Sequence, residues 1–244
     1  MADSLQGKTA LITGGAKRIG RESALALAGE GCNILVHYRH SAEEAQALCA
    51  EIRLLGVQAW AISADFDKPA EFETLFERAM ALAGPVEILL NNASIFLLDS
   101  LDTMEFESWL VNLRVNAWVP FLLGRELYRR VGQGKIVNML DASLQGYDWK
   151  HVSYMLSKQA LELLTRMMAL EFAPRVTVNA VGPGLILPPP GRSADYLERM
   201  KESVPLKAHG DPQGIAEAIL FLLKSAYVTG DIIYVDGGRH LRRE

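Results

Sequence analysis

The feature that most constrains the fold is an alternation of short apolar runs with longer amphipathic stretches along the 244 residues. Runs rich in Val, Ile, Leu and Ala between turn residues are typical of strands buried on both faces of a parallel sheet. Apolar spacing near 3.6 residues in the intervening stretches predicts crossover helices. The predicted strands are Thr9–Thr13, Asn33–Tyr38, Gln58–Ala64, Glu87–Asn91, Lys135–Met139, Val176–Ala180 and Ile232–Val235.

The predicted helices fall between these strands, so the sequence predicts an α/β fold with a doubly wound, seven-stranded parallel sheet and helices on both faces. No repeat, low-complexity tract or linker interrupts the pattern, and we expect residues 1–244 to form a single domain. The helices are Ile19–Gly29, Ser41–Leu55, Pro69–Ala83, Glu105–Arg130, Val152–Phe172 and Pro212–Lys224.

The segment Gly182–Arg192, GPGLILPPPGR, departs from the alternation. Its Pro and Gly residues are unfavourable in a helix or a central strand, which predicts an ordered loop near the strand ends. We expect residues 182–205 to form a loop that covers a substrate.

Charge and composition exclude several function classes. A net charge of -4 and a pI near 5.8 disfavour nucleic-acid binding, which usually needs a concentrated basic face. The first residues resemble neither a signal peptide nor a membrane span, so a cytoplasmic protein without membrane contact is expected. Cys32 and Cys49 lack metal-ligand spacing, and no metal site is predicted.

A glycine turn follows the first strand: Thr13-Gly14-Gly15-Ala16-Lys17-Arg18-Ile19-Gly20. A strand, glycine turn and helix in succession place free backbone N–H groups against a pyrophosphate. Such a turn also occurs without a ligand, so the surrounding motifs must support the interpretation. The candidate cofactor-binding residues here are Gly14, Lys17, Arg18, Ile19 and Gly20.

The end of the second predicted strand indicates which dinucleotide binds. NAD-selective sites usually carry Asp or Glu there, which repels a 2′-phosphate. This chain has His37-Tyr38-Arg39-His40-Ser41 instead, and their cationic and hydroxyl groups predict NADPH rather than NADH. The alternative is that Arg39 and His40 merely begin a solvated helix.

Tyr154 and Lys158 are the predicted catalytic pair. Their spacing of four residues places both side chains on one face of a helix. An ammonium about 4 Å from a phenol is expected to lower the phenol pKa by roughly three units, before burial opposes the effect. The phenol can then exchange a proton near neutral pH. A simple surface pair is the alternative.

Together these motifs resemble the short-chain dehydrogenase/reductase family, which has a Rossmann-type fold. The resemblance is greatest to the pteridine reductases and dihydromonapterin reductases, and it extends over nearly the whole chain. Arg18 replaces a glycine of the family's TGxxxGxG turn, and Ser94 replaces the glycine of its NNAG motif. The matching segments are TGGAKRIG, HYRHS, NNASIF, NMLDAS, YMLSK, VGPGL and DGGRHLR.

The resemblance implies further cofactor contacts. Asp65 matches the residue that bonds the adenine amine, although it is also a candidate helix N-cap. Asn116 matches the catalytic asparagine that helps connect the lysine to solvent. The remaining cofactor-binding positions are Phe66, Asn92, Ala93, Ser94, Met139, Tyr154, Lys158, Pro183, Gly184 and Leu185.

Asp141 stands thirteen positions before Tyr154, where most members of the family have serine. A carboxylate would repel the charge that develops on a carbonyl oxygen, whereas a ring nitrogen needs a proton. Pteridine reductases use an Asp–Tyr–Lys set, so the resemblance implies a catalytic Asp141. The alternative is that Ser143 replaces the missing serine and Asp141 points elsewhere.

The same resemblance implies how a pterin binds. Phe96 and the nicotinamide would enclose a flat heterocycle, although a phenylalanine is more often a core residue. The implied substrate residues are Arg18, Ser94, Phe96, Asp141, Tyr154, Leu185 and Arg243.

Arg243 matches a C-terminal position that reaches a neighbouring active site in a tetramer, so a homotetramer is expected. A frayed basic tail is the alternative.

Three functions are therefore considered. The first is NADPH-dependent reduction of a dihydropterin, with hydride transfer to a C=N bond and a proton from Tyr154. The second is reduction of a ketone or a 3-oxoacyl thioester, which leaves Asp141 without a task. The third is NADPH binding without turnover, which the intact Tyr154 and Lys158 pair disfavours.

Overall fold

The computed structural model describes residues 3–146, 148–189, 191, 193 and 195–242. Its sheet has seven strands, all paired in parallel, in the order β3-β2-β1-β4-β5-β6-β7. This arrangement confirms the predicted fold class. The strands are β1 (Thr9–Ile12), β2 (Asn33–Tyr38), β3 (Ala59–Ser63), β4 (Ile88–Asn91), β5 (Gly134–Met139), β6 (Val176–Pro183) and β7 (Ile232–Val235).

Helices connect the strands, and the crossover helices lie close to their predicted positions. Within the described residues they are α1 (Arg18–Gly29), α2 (Ala42–Arg53), α3 (Pro69–Glu73), α4 (Leu75–Ala83), α5 (Phe106–Leu113), α6 (Val119–Arg130), α7 (Val152–Phe172), α8 (Asp195–Met200) and α9 (Pro212–Lys224). Helix α8 was not predicted, since it lies in the segment that we expected to be a loop.

Two hydrophobic cores cover the two faces of the sheet. Alternate residues of a strand point to opposite faces, so Ile12 joins one core and Leu11 the other. Helices α1, α2 and α9 pack on the first face, and α4, α6 and α7 on the second. Burying each of these aliphatic side chains contributes about 1.5–3 kcal/mol, which explains why the central strands are continuous apolar runs.

Strand β6 is longer than predicted, because Gly182 and Pro183 pair with Tyr234 and Val235 of β7. The expectation that Pro and Gly exclude a strand was wrong at these two positions. A Cβ on Gly182 would lie 2.7 Å from the Tyr234 ring, so glycine permits this close pairing. Proline is tolerated because it ends the strand.

The predicted helix Glu105–Arg130 contains a π-helical turn, Arg114–Trp118, between α5 and α6. Such turns widen a helix locally and often occur at functional sites. None of the helices in the described ranges is long and apolar enough to span a membrane.

Candidate active site

The glycine turn between β1 and α1 is tightly packed. Gly14 has a φ of +61°, and a Cβ there would lie 3.0 Å from the Cα of Ala93. A Cβ on Gly20 would collide with the Gly14 carbonyl oxygen and lie 2.7 Å from the Asn92 amide nitrogen. Only glycine fits these two positions, which leaves the backbone open toward a neighbouring cavity.

Arg18 has a φ of +56°, a left-handed conformation that costs a non-glycine residue about 1–2 kcal/mol. This strain occurs at the position where the family pattern has glycine. The side chain reaches across the site, and its Nη2 donates a 2.9 Å hydrogen bond to the carbonyl oxygen of Pro188. Arg18 therefore connects the glycine turn to the loop after β6.

A cavity of about 370 Å³ runs along the glycine turn. Many of the residues predicted to bind the dinucleotide line it. Ala64, Ile95 and Val115, which were not predicted, line it as well. The predicted residues on its wall are Gly14, Lys17, Arg18, Ile19, Gly20, His37, Arg39, Phe66, Asn92, Ala93 and Ser94.

Arg39 is held at the wall of this cavity by two carboxylates. Its Nε lies 2.9 Å from Asp65 and its Nη2 lies 3.0 Å from Asp67. Some residues predicted to bind the adenosine end of the cofactor do not line this cavity, namely Tyr38, His40, Ser41 and Asp65. The helix N-cap alternative for Asp65 is wrong, because Lys68 occupies that position before α3.

His37 is a correction to the predicted phosphate contacts. The imidazole is 2 % exposed, its Nδ1 accepts a 3.1 Å hydrogen bond from Gly14 N–H, and its Nε2 lies 3.0 Å from the Ala64 carbonyl oxygen. Burial, with a smaller contribution from the Arg78 charge, lowers its pKa to about 4, although the hydrogen bond with the Ala64 carbonyl opposes the shift. The neutral ring holds the glycine turn in place and has no free group for a phosphate.

Asp141 follows β5 and points at Tyr154, which lies in the first turn of α7. The Tyr154 hydroxyl donates a 2.8 Å hydrogen bond to Asp141 Oδ2. Asp141 Oδ1 accepts from the backbone N–H of Ser143 at 2.8 Å and from its hydroxyl at 2.6 Å. The Asp141 carboxylate therefore faces Tyr154, and the Ser143 hydroxyl donates its proton to that carboxylate.

The expected lowering of the tyrosine pKa is wrong for this arrangement. Burial raises the pKa of Tyr154 well above its ordinary value, and the charge of Asp141 raises it further. The Lys158 Nζ lies 5.8 Å from the Tyr154 ring centre and donates to the Met139 carbonyl oxygen at 2.7 Å. The phenol is thus held protonated.

Lys158 is buried, and that burial lowers its pKa to about 8, although the nearby Asp141 charge opposes the shift. An ammonium with such a pKa can release and regain a proton close to neutral pH.

A second cavity, of about 360 Å³, brings the predicted catalytic pair together with the loop after β6. Arg18, Ile19, Asn92 and Ser94 line both cavities, so the two are adjacent. The predicted residues found only on the second wall are Phe96, Met139, Asp141, Tyr154, Lys158, Pro183 and Gly184.

Leu185 is a second correction. Its side chain is buried in a small cluster with Leu197 and Val204, away from the cavity wall. The wall is formed instead by Leu140, Ile186, Leu187 and Pro189. A run of apolar residues in a loop predicts that some of them line a cavity, but not which ones.

Phe96 is 53 % exposed and is no core residue. His151 stacks on one of its faces at 3.7 Å, and Tyr154 meets the ring edge-on at 4.6 Å. The His151 Nδ1 lies 2.7 Å from Asp148 Oδ2, which fixes the stack from behind. His151 was not predicted, because its contact with Phe96 joins residues that are distant in sequence.

Asn116 lies in the π-helical turn and is fully buried. Its side chain accepts from the Ser94 hydroxyl and the Ile95 N–H and donates to Ser157, each at 3.0 Å. These contacts hold Ser94 and Ser157 in place, and the connection of Lys158 to solvent through Asn116 stays a prediction. Arg243, predicted to contact substrate, lies outside the described residues.

Residues 14–240 match the family model described as enoyl-(acyl carrier protein) reductase, one of the short-chain dehydrogenase/reductase models. This match covers most of the chain. The chain belongs to the short-chain dehydrogenase/reductase family.

Similar proteins in the short-chain dehydrogenase/reductase family are named for two kinds of substrate. The 3-oxoacyl-(acyl-carrier-protein) reductase FabG of Staphylococcus epidermidis is 34 % identical, with 96 % of this chain and 99 % of the relative covered. Among solved structures, FolM alternative dihydrofolate reductase 1 from Brucella canis, complexed with NADP, has a TM-score of 0.92 and 30 % identity, with 99 % and 98 % covered.

A blue fluorescent protein from a metagenomic library, in complex with NADPH, has a TM-score of 0.89 and 31 % identity, with 97 % of both chains covered. Both of these structures contain a nicotinamide cofactor of the phosphorylated type, in agreement with the predicted NADPH. Family membership is therefore established. One of these similar proteins is named as a 3-oxoacyl-(acyl-carrier-protein) reductase and another as a dihydrofolate reductase.

Proposed function

We propose that this protein is an NADPH-dependent reductase of a dihydropterin, such as dihydrobiopterin, dihydromonapterin or dihydrofolate. The observation that carries the proposal is the 2.8 Å hydrogen bond from the Tyr154 hydroxyl to the Asp141 carboxylate. A carboxylate at this position disfavours an incipient alkoxide but suits proton delivery to a ring nitrogen.

The residues of the first cavity fit NADPH. The glycine turn offers backbone N–H groups. Arg39 and Lys17 line the cavity and are proposed to contact the 2′-phosphate and the other phosphates, in exchange for their present ion pairs with Asp65, Asp67 and Glu44. When bound, the cofactor supplies the hydride. NADP-bound and NADPH-bound structures of similar proteins support this assignment.

Tyr154 is the proposed proton donor. Asp141 keeps its phenol protonated, so the proton remains available until a basic ring nitrogen approaches. Lys158, with a pKa of about 8, then provides a route for the proton to be replaced. Asn116 holds Ser94 and Ser157 in position beside this set.

The proposed ring site lies against Phe96, which lines the catalytic cavity, is 53 % exposed and is held in place by the stacked His151 ring. A flat heterocycle gains about 0.5–1.5 kcal/mol from aromatic stacking in addition to the area it buries. Ser94 and Arg18 line the same cavity and are proposed to orient the ring through hydrogen bonds.

Reduction of a ketone or 3-oxoacyl thioester is the second candidate, favoured by the 34 % identity to a FabG reductase. That chemistry needs a neutral hydroxyl beside Tyr154. The Ser143 hydroxyl is the available one, but it donates to Asp141 at 2.6 Å. NADPH binding without turnover is the weakest candidate, because both members of the catalytic pair line the cavity.

The test measures NADPH oxidation with dihydrobiopterin, dihydromonapterin, dihydrofolate and an acetoacetyl thioester. We expect turnover of at least one dihydropterin, and a loss of about 100-fold in that kcat for Asp141→Ser. Asp102→Ser, which removes an exposed carboxylate, is the control and keeps the parent rate. Oxidation with the thioester alone would reject the dihydropterin proposal, and an unchanged rate for Tyr154→Phe would reject the mechanism.

We also propose that the protein is a homotetramer. Leu156, Leu163, Met167 and Leu170 form an exposed apolar stripe along α7, and Leu170 is 84 % exposed. A stripe of this kind marks an association surface. Light scattering should give four times the monomer mass for the parent and a lower mass for Leu163→Glu, whereas a monomeric parent contradicts the proposal.

A further inference from the structure

A third cavity, of about 220 Å³, lies beside the catalytic carboxylate and has no role in the proposed chemistry. Its wall includes Ser143 from the turn after β5, Met200 and Ser203 from the end of the substrate loop, and Arg239 and Arg242 from the C-terminal turn. The cavity therefore lies between the turn after β5, the end of the substrate loop and the basic C-terminal turn.

Two guanidinium-bearing residues face this one cavity without a counterion. Within the described part of the chain, neither Arg239 nor Arg242 forms an ion pair or a side-chain hydrogen bond, and no carboxylate lines the cavity. The hydroxyl protons of Ser143 and Ser203 are already donated to Asp141 and to the Met200 carbonyl oxygen. Like charges repel, so an anion that accepts from both guanidiniums would stabilise the arrangement.

The C-terminal turn that carries Arg239 is held rigidly. The buried Asp236 accepts from Gly238 N–H at 2.9 Å and from His240 Nδ1 at 2.8 Å. The His240 ring stacks on Tyr234 at 4.2 Å, and the Tyr234 hydroxyl accepts from Gln145 Nε2 at 2.9 Å. The basic wall is therefore fastened to the segment that follows Asp141, and little ordering is needed on binding.

Four consecutive residues connect this cavity to the catalytic one. Leu140 and Asp141 line the catalytic cavity, and Ala142 and Ser143 line the basic cavity. The two cavities therefore border the same short segment on either side of Asp141 and Ala142, and a ligand with its ring in the first is required to extend past that segment to reach the second.

We propose that Arg239 and Arg242 bind a carboxylate on the tail of the substrate. This inference rests on the proposed function and narrows it: the preferred dihydropterin is one with an anionic substituent, rather than one whose side chain carries only hydroxyl groups.

The test compares dihydrofolate, which carries tail carboxylates, with dihydrobiopterin, which has the same type of ring and an uncharged side chain. We expect the KM for dihydrofolate to rise about tenfold in Arg239→Gln and in Arg242→Gln, because each loses a charge-assisted hydrogen bond. The KM for dihydrobiopterin and both kcat values should stay within about twofold of the parent. Arg129→Gln, an exposed arginine on α6, is the matched control and should change neither KM.

The double variant Arg239→Lys/Arg242→Lys keeps the charge and separates loss of charge from a folding defect. It should recover most of the dihydrofolate affinity that the Gln variants lose. Equal KM changes for both substrates, or none, would overturn the proposal while leaving dihydropterin reduction intact. Turnover of the thioester alone would overturn the proposed function and this inference together.

Discussion

Protonation of His37 should destabilise the fold at mildly acidic pH. In the folded chain its pKa is about 4, while an unfolded histidine titrates near 6.5. Below pH 6.5 the unfolded chain binds a proton that the folded chain does not, so stability is fully present above that pH and falls as the pH approaches 4. The folded-state pKa is about 2.5 below the unfolded value. This difference lowers the free energy of unfolding by about 3 kcal/mol once the pH is well below 4, and by about 2 kcal/mol at pH 5.

The assay is urea unfolding at pH 7 and pH 5 for the parent, His37→Gln and His40→Gln. Substitution of His37 should lower stability at pH 7, since it disturbs the bonds to Gly14 and Ala64. The decisive quantity is the decrease in the free energy of unfolding between pH 7 and pH 5. It should be smaller by about 2 kcal/mol in His37→Gln and unchanged in the exposed His40→Gln. An equal loss in the parent and in His37→Gln would refute the reasoning.

Three further outcomes are expected. The reductase rate should fall as pH rises above about 8, where Lys158 loses its proton, and a rate that stays flat from pH 7 to pH 9.5 would contradict this. Arg18→Gly should raise the Tm by about 2–4 °C by relieving the left-handed backbone, yet weaken substrate binding; thermal melts and KM values check both. Gly20→Ala should abolish NADPH binding in a fluorescence titration, because its Cβ meets the Gly14 carbonyl oxygen, whereas Gly56→Ala, at an uncrowded turn, should keep binding.

The sheet and the glycine turn after β1 were predictable from the sequence, because hydrophobic periodicity and glycine spacing are local patterns. Thr9–Ile12, Arg18–Gly29 and Val152–Phe172 lie within one residue of their predicted bounds. The Asp141–Tyr154 contact was also anticipated, because the resemblance to pteridine reductases implies an Asp–Tyr–Lys set.

What the sequence could not reveal depends on burial and long-range contacts. His37 looks like a phosphate ligand beside Arg39, but its ring faces inward, where solvation is lost and the charged form is disfavoured. The pKa of Tyr154 rises because the structure buries the phenol and places the Asp141 carboxylate within hydrogen-bond distance of its hydroxyl. The burial of Leu185 also depends on a long-range contact. Leu185 packs against Leu197 and Val204, which follow later in the chain, so the loop sequence alone does not show which of its apolar residues become buried.

The placement of Arg18 affects how the two ligands bind in relation to each other. One guanidinium borders both the dinucleotide cavity and the catalytic cavity, and it is anchored to the loop at Pro188. If the dinucleotide or the substrate forms a hydrogen bond with Arg18, the position of this guanidinium changes in the cavity of the other ligand. The affinities for the two ligands are therefore thermodynamically linked. Initial-rate plots for this enzyme should therefore intersect, as in a sequential mechanism, and the dissociation constant of each ligand should depend on the concentration of the other.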